Sequence, residues 1–441
     1  MKKVVITGIG VVTPLGNDIK TTWENLTKGF SGIGDITKFD PSALPSRIAG
    51  EIKKFSPEDY IPKKDLLRLD PFIHYAAAAA IMAVEDAGLI KQKIRRYEDE
   101  KIGSPNFSTS QLLNFQTSSE LQTPNSKLLY SSGVIIGSSR GGIMSMEKAL
   151  ENQLLKGKPF SAYLMSSSTI NMASSYISIR FGIKGPTIGI STACASGANA
   201  IGEAVRLIRN AEINLALAGG AEAPICKLTV GGYGAAGALS KRNDEPEKAS
   251  RPFDRDRDGF VMAEGAGILV LEELEHALKR GAKIYAEIAG YGTSSDAFHQ
   301  TKPDSHGEAI AIEKALKDAM VSIDEVDYIN AHATSTILGD ATEAQAIKKV
   351  FKERAYDIPV SSSKSMLGHM LGGAGAVEAA ITAISIKRGT ITPTINLENP
   401  DPDCALNHVT STMNKDINIA ISNSFGFGGV NAVLVFKKFK D

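Results

Sequence analysis

The stretch TIGISTACASGANAIGEAVRLI, Thr187–Ile208, passes from a short apolar run through small residues into a helical pattern. Ile201, Ala204, Val205 and Ile208 fall at i, i+3, i+4 and i+7, one face of an amphipathic helix. The design returns in DIPVSSSKSMLGHMLGGAGAVEAAITAI, Asp357–Ile384, where Val377, Ala380, Ile381 and Ile384 keep that spacing. A second pair matches in the same order: KVVITGIGVVTPLG from Lys3 and KIYAEIAGYGTSSD from Lys283. Strands alternating with helices, met twice, predict an α/β fold built from a duplicated unit, with halves at 1–260 and 261–441.

Punctuation supports this reading. Asp70 is placed to cap a helix, Pro71 to start it, and Gly88 to end the run FIHYAAAAAIMAVEDA. Residues 91–130, rich in Ser, Gln, Asn and charge, lack periodicity and read as a surface insert.

Composition narrows the class of function. Lys plus Arg and Asp plus Glu both total 49, so no global charge argues for nucleic acid. Three cysteines, Cys194, Cys226 and Cys404, form no CxxC pair, which disfavours a disulfide framework or a zinc site and suits a reducing compartment. No run of apolar residues is long enough for a membrane span, and MKKVVITGIG starts as a strand rather than as a secretory signal.

Cys194 stands between a predicted strand and a predicted helix, among residues too small to cover it. A free cysteine is most often an inert buried hydrophobe. At a helix N-terminus, however, the unpaired N–H groups and the dipole favour an anion, so a lowered thiol pKa and a thiolate near neutral pH are expected. Cys226 and Cys404 have no such setting and read as structural.

His332, in DYINAHATSTILGD, and His369, in SSSKSMLGHMLGGAG, occupy similar junctions at strand ends, where sites gather in open α/β sheets. A lone histidine is usually structural; three reactive types at three equivalent junctions point to a site. The other histidines, His74, His276, His299, His306 and His408, read as structural. Asp340 and Glu343 read as a capping box opening the helix after His332. Lys364 is either a surface lysine or a charge that tunes His369 or a nearby carboxylate. SFGFGG, before the last strand, can expose backbone N–H groups to an oxyanion, although Phe425 and Phe427 suit a core equally well.

Two motifs are set aside. GIGVVT starts like a dinucleotide fingerprint but has Thr13 at the third glycine position. DRDRDG, Asp254–Gly259, starts like a calcium loop, yet Gly265 stands where the closing Glu belongs. Lys63, Lys64 and Arg68 read as a solvated face or as a dock for an acidic partner.

Together, TACASGANAIGEA, SRPFDRDRDGFVMAEGAGILVLEE, NAHATSTILGD, SSSKSMLGHMLGGAGAVEA and NSFGFGGVNAVLVF resemble the β-ketoacyl-acyl-carrier-protein synthases, most closely the type II elongation enzymes. The motifs keep their order and cover nearly the whole chain outside the insert. The resemblance implies a thiolase-like five-layer αβαβα fold of two similar halves, a homodimer, and decarboxylative Claisen condensation without a cofactor, the substrates riding on the phosphopantetheine of acyl carrier protein. It implies that Cys194 takes the acyl group and that His332 and His369 bind the malonyl thioester carbonyl. Backbone N–H groups of Cys194 and Phe425 would form the oxyanion hole, Phe425 would gate the cysteine, and Lys364 would support His369. Arg140 and Gly141 would border the acyl pocket, and Lys63, Lys64 and Arg68 would meet the carrier protein. No nucleic acid or membrane partner is implied, and the compartment would be the cytoplasm of a bacterium or a plastid-type stroma.

The sequence departs from that family at Ala333, where Gly usually follows the first histidine, and at Arg140, where an apolar residue usually lines the acyl pocket. Related readings fit less well. A thiolase normally carries a second catalytic cysteine near its C-terminus, whereas Cys404 lies outside NSFGFGG. Initiating synthases have Asn where His369 stands. A non-catalytic chain-length factor lacks the cysteine, and a cysteine protease does not account for five ordered motifs.

Overall fold

A computed structural model describes residues 1–90 and 131–440; the insert read at 91–130 lies outside the described residues. The first half runs β1 (Val4–Val12), α1 (Pro71–Asp86), β2 (Ser132–Gly137), α2 (Met172–Phe181), β3 (Thr187–Ile190), α3 (Ser196–Arg209), β4 (Leu215–Glu222) and β5 (Gly265–Glu273). The second repeats the order with β6 (Ala286–Ser295), α4 (Ser305–Ala319), β7 (Tyr328–Asn330), α5 (Ile337–Phe351), β8 (Pro359–Ser361), α6 (Ala374–Arg388), β9 (Ile419–Gly426) and β10 (Val430–Lys437).

Pairing repeats as well. The first sheet is ordered β3-β2-β4-β5-β1, with β2 parallel to β3 and β4, and β5 antiparallel to β4 and β1. The second is ordered β8-β7-β9-β10-β6 with the same senses. The sheets meet at one antiparallel seam, where Val4, Val5 and Ile6 of β1 face Ile288, Glu287 and Ala286 of β6.

Helices α3 and α6 lie between the sheets. From Ala374 to Ile386 every residue of α6 is buried, the mark of a helix enclosed on all sides. In α3 the predicted stripe of Ile201, Ala204, Val205 and Ile208 is fully buried, and each large aliphatic side chain so placed contributes about 1.5–3 kcal/mol. A Cβ on Gly197 would stand 2.8 Å from the Gly372 carbonyl oxygen, so this glycine lets the starts of the two central helices touch. Helices α1 and α2 cover the outer face of the first sheet, and α4 and α5 that of the second. The five-layer αβαβα arrangement is therefore the one the sequence predicts.

The start of α1 also follows the sequence: Asp70 accepts from the Phe72 N–H at 3.1 Å, with Pro71 at the first helical position. Two expectations change. The boundary at 260/261 falls ahead of β5, a strand of the first sheet between β4 and β1, so the halves part between Glu273 and Ala286. The capping box at Asp340 and Glu343 is absent because α5 begins earlier, at Ile337 after Thr336. Among the described residues no helix is long and apolar enough to cross a membrane.

Candidate active site

Cys194 sits between the end of β3 and the start of α3. Ala193 before it has φ +48°, a left-handed conformation that costs a non-glycine residue about 1 kcal/mol or more and needs surrounding support. Support comes from Ser196, whose hydroxyl donates to the Ala193 carbonyl at 2.6 Å and accepts from the Thr192 N–H at 2.9 Å. Asn199 donates to the Thr192 hydroxyl at 2.7 Å.

His369 occupies the matching junction of the second half, between β8 and α6. Its Nε2 lies 3.0 Å from Cys194 Sγ. The His332 ring, beyond the end of β7, stands edge-on to the His369 ring at 5.3 Å. The three side chains that the sequence singles out converge from both halves on one cavity of about 420 Å³.

The carboxylates misread as a cap hold the His332 loop instead. Glu343 accepts from the N–H groups of His332 and Ala333 at 2.8 and 2.7 Å and from the Asn423 amide at 2.9 Å. Asp340 accepts from the N–H groups of Thr334 at 2.9 Å, Ser335 at 3.1 Å and Phe253 at 2.9 Å. Lys364 is buried rather than on the surface, paired with the buried Glu378.

Electrostatics revise the thiol. Burial pushes Cys194 up to about 12, against the opposing charges of Lys364 and Arg140 and a hydrogen bond from the Phe427 N–H. The expected thiolate is thus a neutral thiol at rest, because desolvation outweighs the helix start. Burial, then the charge of Lys364, hold His332 and His369 well below the ordinary imidazole value. Both rings are neutral at pH 7, suited to hydrogen-bonding an oxygen that becomes negative.

The N–H of Phe427, two residues beyond Phe425, favours the ionised form of the sulfur. Both line the cavity: Phe427 is half-exposed, and Phe425 is buried with its ring 5.9 Å from that of His332. Phe425 still lies within β9, whereas Phe427 falls in the turn after it.

Arg140 and Gly141 do not line this cavity. Arg140 Nη2 donates to the Tyr233 hydroxyl at 2.6 Å, and it is Tyr233 that lines it. Gly141 turns with φ +58° and donates its N–H to the Ser138 hydroxyl at 3.0 Å. Lys63 and Lys64 are exposed on a short helix, Lys63–Leu66, ahead of α1. Arg68, also exposed, has its guanidinium 4.6 Å above the Tyr163 ring. Sequence reading missed Tyr233, an aromatic among the small residues of GGYGAAGA, and Glu308, a buried cavity-wall carboxyl that burial pushes far up. In DRDRDG, Asp254 accepts from Arg251 Nε at 2.9 Å, and Arg257 donates to Asp401 at 2.6 Å.

Comparison with known proteins agrees with this geometry. The beta-ketoacyl synthase N-terminal domain matches residues 1–277 and the C-terminal domain residues 285–398, parting where the two sheets part. The chain belongs to the β-ketoacyl synthase family. Membership makes it a condensing enzyme of the acyltransferase class. It is 44% identical to 3-oxoacyl-[acyl-carrier-protein] synthase 2 of Synechocystis sp., over 100% of this chain and 99% of that one. It is 45% identical to the protein of the same name in Staphylococcus aureus, with the same coverage. A solved beta-ketoacyl synthase from Burkholderia phymatum superposes with a TM-score of 0.87 at 35% identity, all of both chains covered. A type II polyketide ketosynthase, solved bound to a hexaketide and in complex with its acyl-carrier protein, superposes with a TM-score of 0.84 at 33% identity, over 99% of this chain and 100% of that one.

Proposed function

We propose that the chain elongates fatty acyl groups by two carbons, condensing a malonyl thioester with an acyl group held on Cys194. The observation that carries this reading is the 3.0 Å contact between Cys194 Sγ and His369 Nε2, with His332 alongside. The resting thiol is neutral and its nearest base is a neutral imidazole, so the thiol proton passes to Nε2 as sulfur attacks the acyl thioester. The departing carrier thiolate takes a proton from water, so Nε2 keeps the Cys194 proton as an N–H. The malonyl thioester then enters, and its carbonyl oxygen accepts hydrogen bonds from His332 and His369. Loss of carbon dioxide leaves an enolate on that oxygen, stabilised by the two rings. The enolate carbon attacks the acyl-cysteine, and the oxygen of the resulting tetrahedral centre is met by the N–H groups of Cys194 and Phe427; its collapse breaks the carbon–sulfur bond, releases the 3-oxoacyl thioester, and returns the His369 Nε2 proton to the Cys194 sulfur.

Both substrates ride on the phosphopantetheine of an acyl carrier protein, whose acidic surface meets Lys63, Lys64 and Arg68. The chain acts as a homodimer. Its support is β3, an edge strand among the described residues with Ile188 exposed, and a helix, Ile143–Lys156, that buries none of its residues and exposes Leu150, Leu154 and Leu155. Unpaired strands and clustered exposed apolar side chains are what a partner covers.

The test supplies acyl- and malonyl-carrier protein and measures carbon dioxide with the product. Release in step with 3-oxoacyl product, lost in Cys194→Ala, is expected. Product without carbon dioxide would make the chain a thiolase and end this reading.

A further inference from the structure

Glu222, the last residue of β4, is fully buried. Its carboxylate accepts four hydrogen bonds. Three come from the first half: the Ser138 hydroxyl at 3.0 Å, the Ser139 N–H at 2.7 Å and the Arg140 N–H at 2.9 Å. The fourth comes from the second half, the Gly372 N–H at 3.0 Å. None of these donors is a side-chain cation, and a carboxylate buried without one is costly.

The two arms of this network lead to the two reacting residues. The Ser138 N–H donates to the Ile190 carbonyl at 3.0 Å, which ties the carboxylate to the end of β3, ahead of Cys194. Gly372 ties it to the turn that leaves His369. Within that turn Leu371 has φ +44°, a left-handed conformation that persists only where its surroundings hold it. The next N–H along the chain is the one that Glu222 accepts. The packing there leaves no slack. A Cβ on Gly372 would stand 2.4 Å from the Ser139 nitrogen and 2.7 Å from Glu222 Oε2, and a Cβ on Gly197, in the first turn of α3, would stand 2.8 Å from the Gly372 carbonyl oxygen. The His369 backbone is pinned on its other side, its N–H donating to the Val261 carbonyl at 2.8 Å and its carbonyl accepting from the Ala263 N–H at 2.9 Å. What is left to set is how closely the start of α3 approaches the imidazole, and the contact of Gly372 with Gly197 sets it.

We propose that Glu222 is a positioning residue for the proton transfer from Cys194 to His369, fixing the 3.0 Å approach of sulfur to Nε2 through the backbone of Ser138 and Gly372 rather than by touching the reacting atoms. The inference rests on the reading that Cys194 carries the acyl group, and it names the residue that keeps the base in reach.

The test loads the purified full chain with hexanoyl- and acetyl-pantetheine and follows acyl-Cys194 by mass spectrometry. The rate constant is taken from the rise to the plateau, so a misfolded fraction lowers the plateau and not the rate. Glu222→Gln keeps the shape but turns an amide N–H₂ towards two donors, and it should slow acylation at pH 8 by about tenfold to a hundredfold. With Nε2 as base the rate of the unaltered chain should stay nearly level from pH 8 to pH 10. The variant depends on thiolate formed by hydroxide, so its rate should climb by about tenfold per pH unit and the gap should close. Glu222→Asp should fall between the two. In a His369→Ala background, Glu222→Gln should slow acylation no further, because the base that it positions is gone. Loading as fast as in the unaltered chain at pH 8, a deficit that persists undiminished at pH 10, or a full further loss in the His369→Ala background each overturns the positioning role while leaving acylation of Cys194 intact. Failure of both thioesters to load the unaltered chain would overturn the acyl-cysteine reading and the positioning role with it.

Discussion

At Cys194 two influences on one proton oppose each other. The helix start and the Phe427 N–H favour the anion; the loss of water favours the thiol and wins, at about 12. For an acid whose pKa is raised, the ionised fraction is small near neutrality and climbs by about tenfold per pH unit until that value is reached. Alkylation of Cys194 by iodoacetamide should therefore rise steadily from about pH 7 to about pH 10 without levelling. A plateau near neutrality would mean that the thiolate is already formed. The histidines separate by a different measurement. His332→Ala removes one donor to the enolate, which should cost about 10²–10³ in condensation rate, or about 3–4 kcal/mol, while sparing acylation of Cys194. His369→Ala removes a donor and also the base that touches sulfur, so both half-reactions should slow. Equal slowing of acylation in the two variants would refute this division of roles.

Helix α5 shows how an element can be read correctly as helix and wrongly in its purpose. Its acidic residues have cap spacing, and sequence alone places its start at Asp340. Tertiary contacts pull the start back to Ile337 and turn the two carboxylates inward, onto the loop that carries His332. Glu343→Ala leaves three donors without their acceptor, at about 1–3 kcal/mol for each buried group. We expect a clear fall in the thermal midpoint and a loss of condensation close to that of His332→Ala, with Glu343→Gln milder in both. Unchanged activity in Glu343→Ala would show that the loop holds itself. Elements with strong local signals, such as α1 with its Asp70 and Pro71 start and α3 with its apolar stripe, were legible from periodicity alone. The division at β5 was not, because GILVLEE reads as a strand in either half and only its neighbours β4 and β1 assign it. Cys194, His332 and His369 were legible by type and junction; Tyr233 was not, because its place on the cavity wall depends on segments far apart in sequence.

Among the described residues β3 is an edge strand of the sheet, and Cys194 follows four residues after its end. Ile188→Asp puts a charge on that strand and should shift sedimentation from dimer to monomer, with activity falling alongside because the junction after β3 loses its neighbour. A dimer that persists in this variant would place the contact elsewhere. The repeated plan of the two halves has a further consequence. Cys194 and His369 stand at corresponding junctions, so an assembly of two identical copies would set sulfur against sulfur, or ring against ring. Opposing a nucleophile to its proton acceptor across that pseudo-axis requires twins that differ. Joining them in one polypeptide lets each position mutate alone, and the broken symmetry is itself what makes the pair reactive.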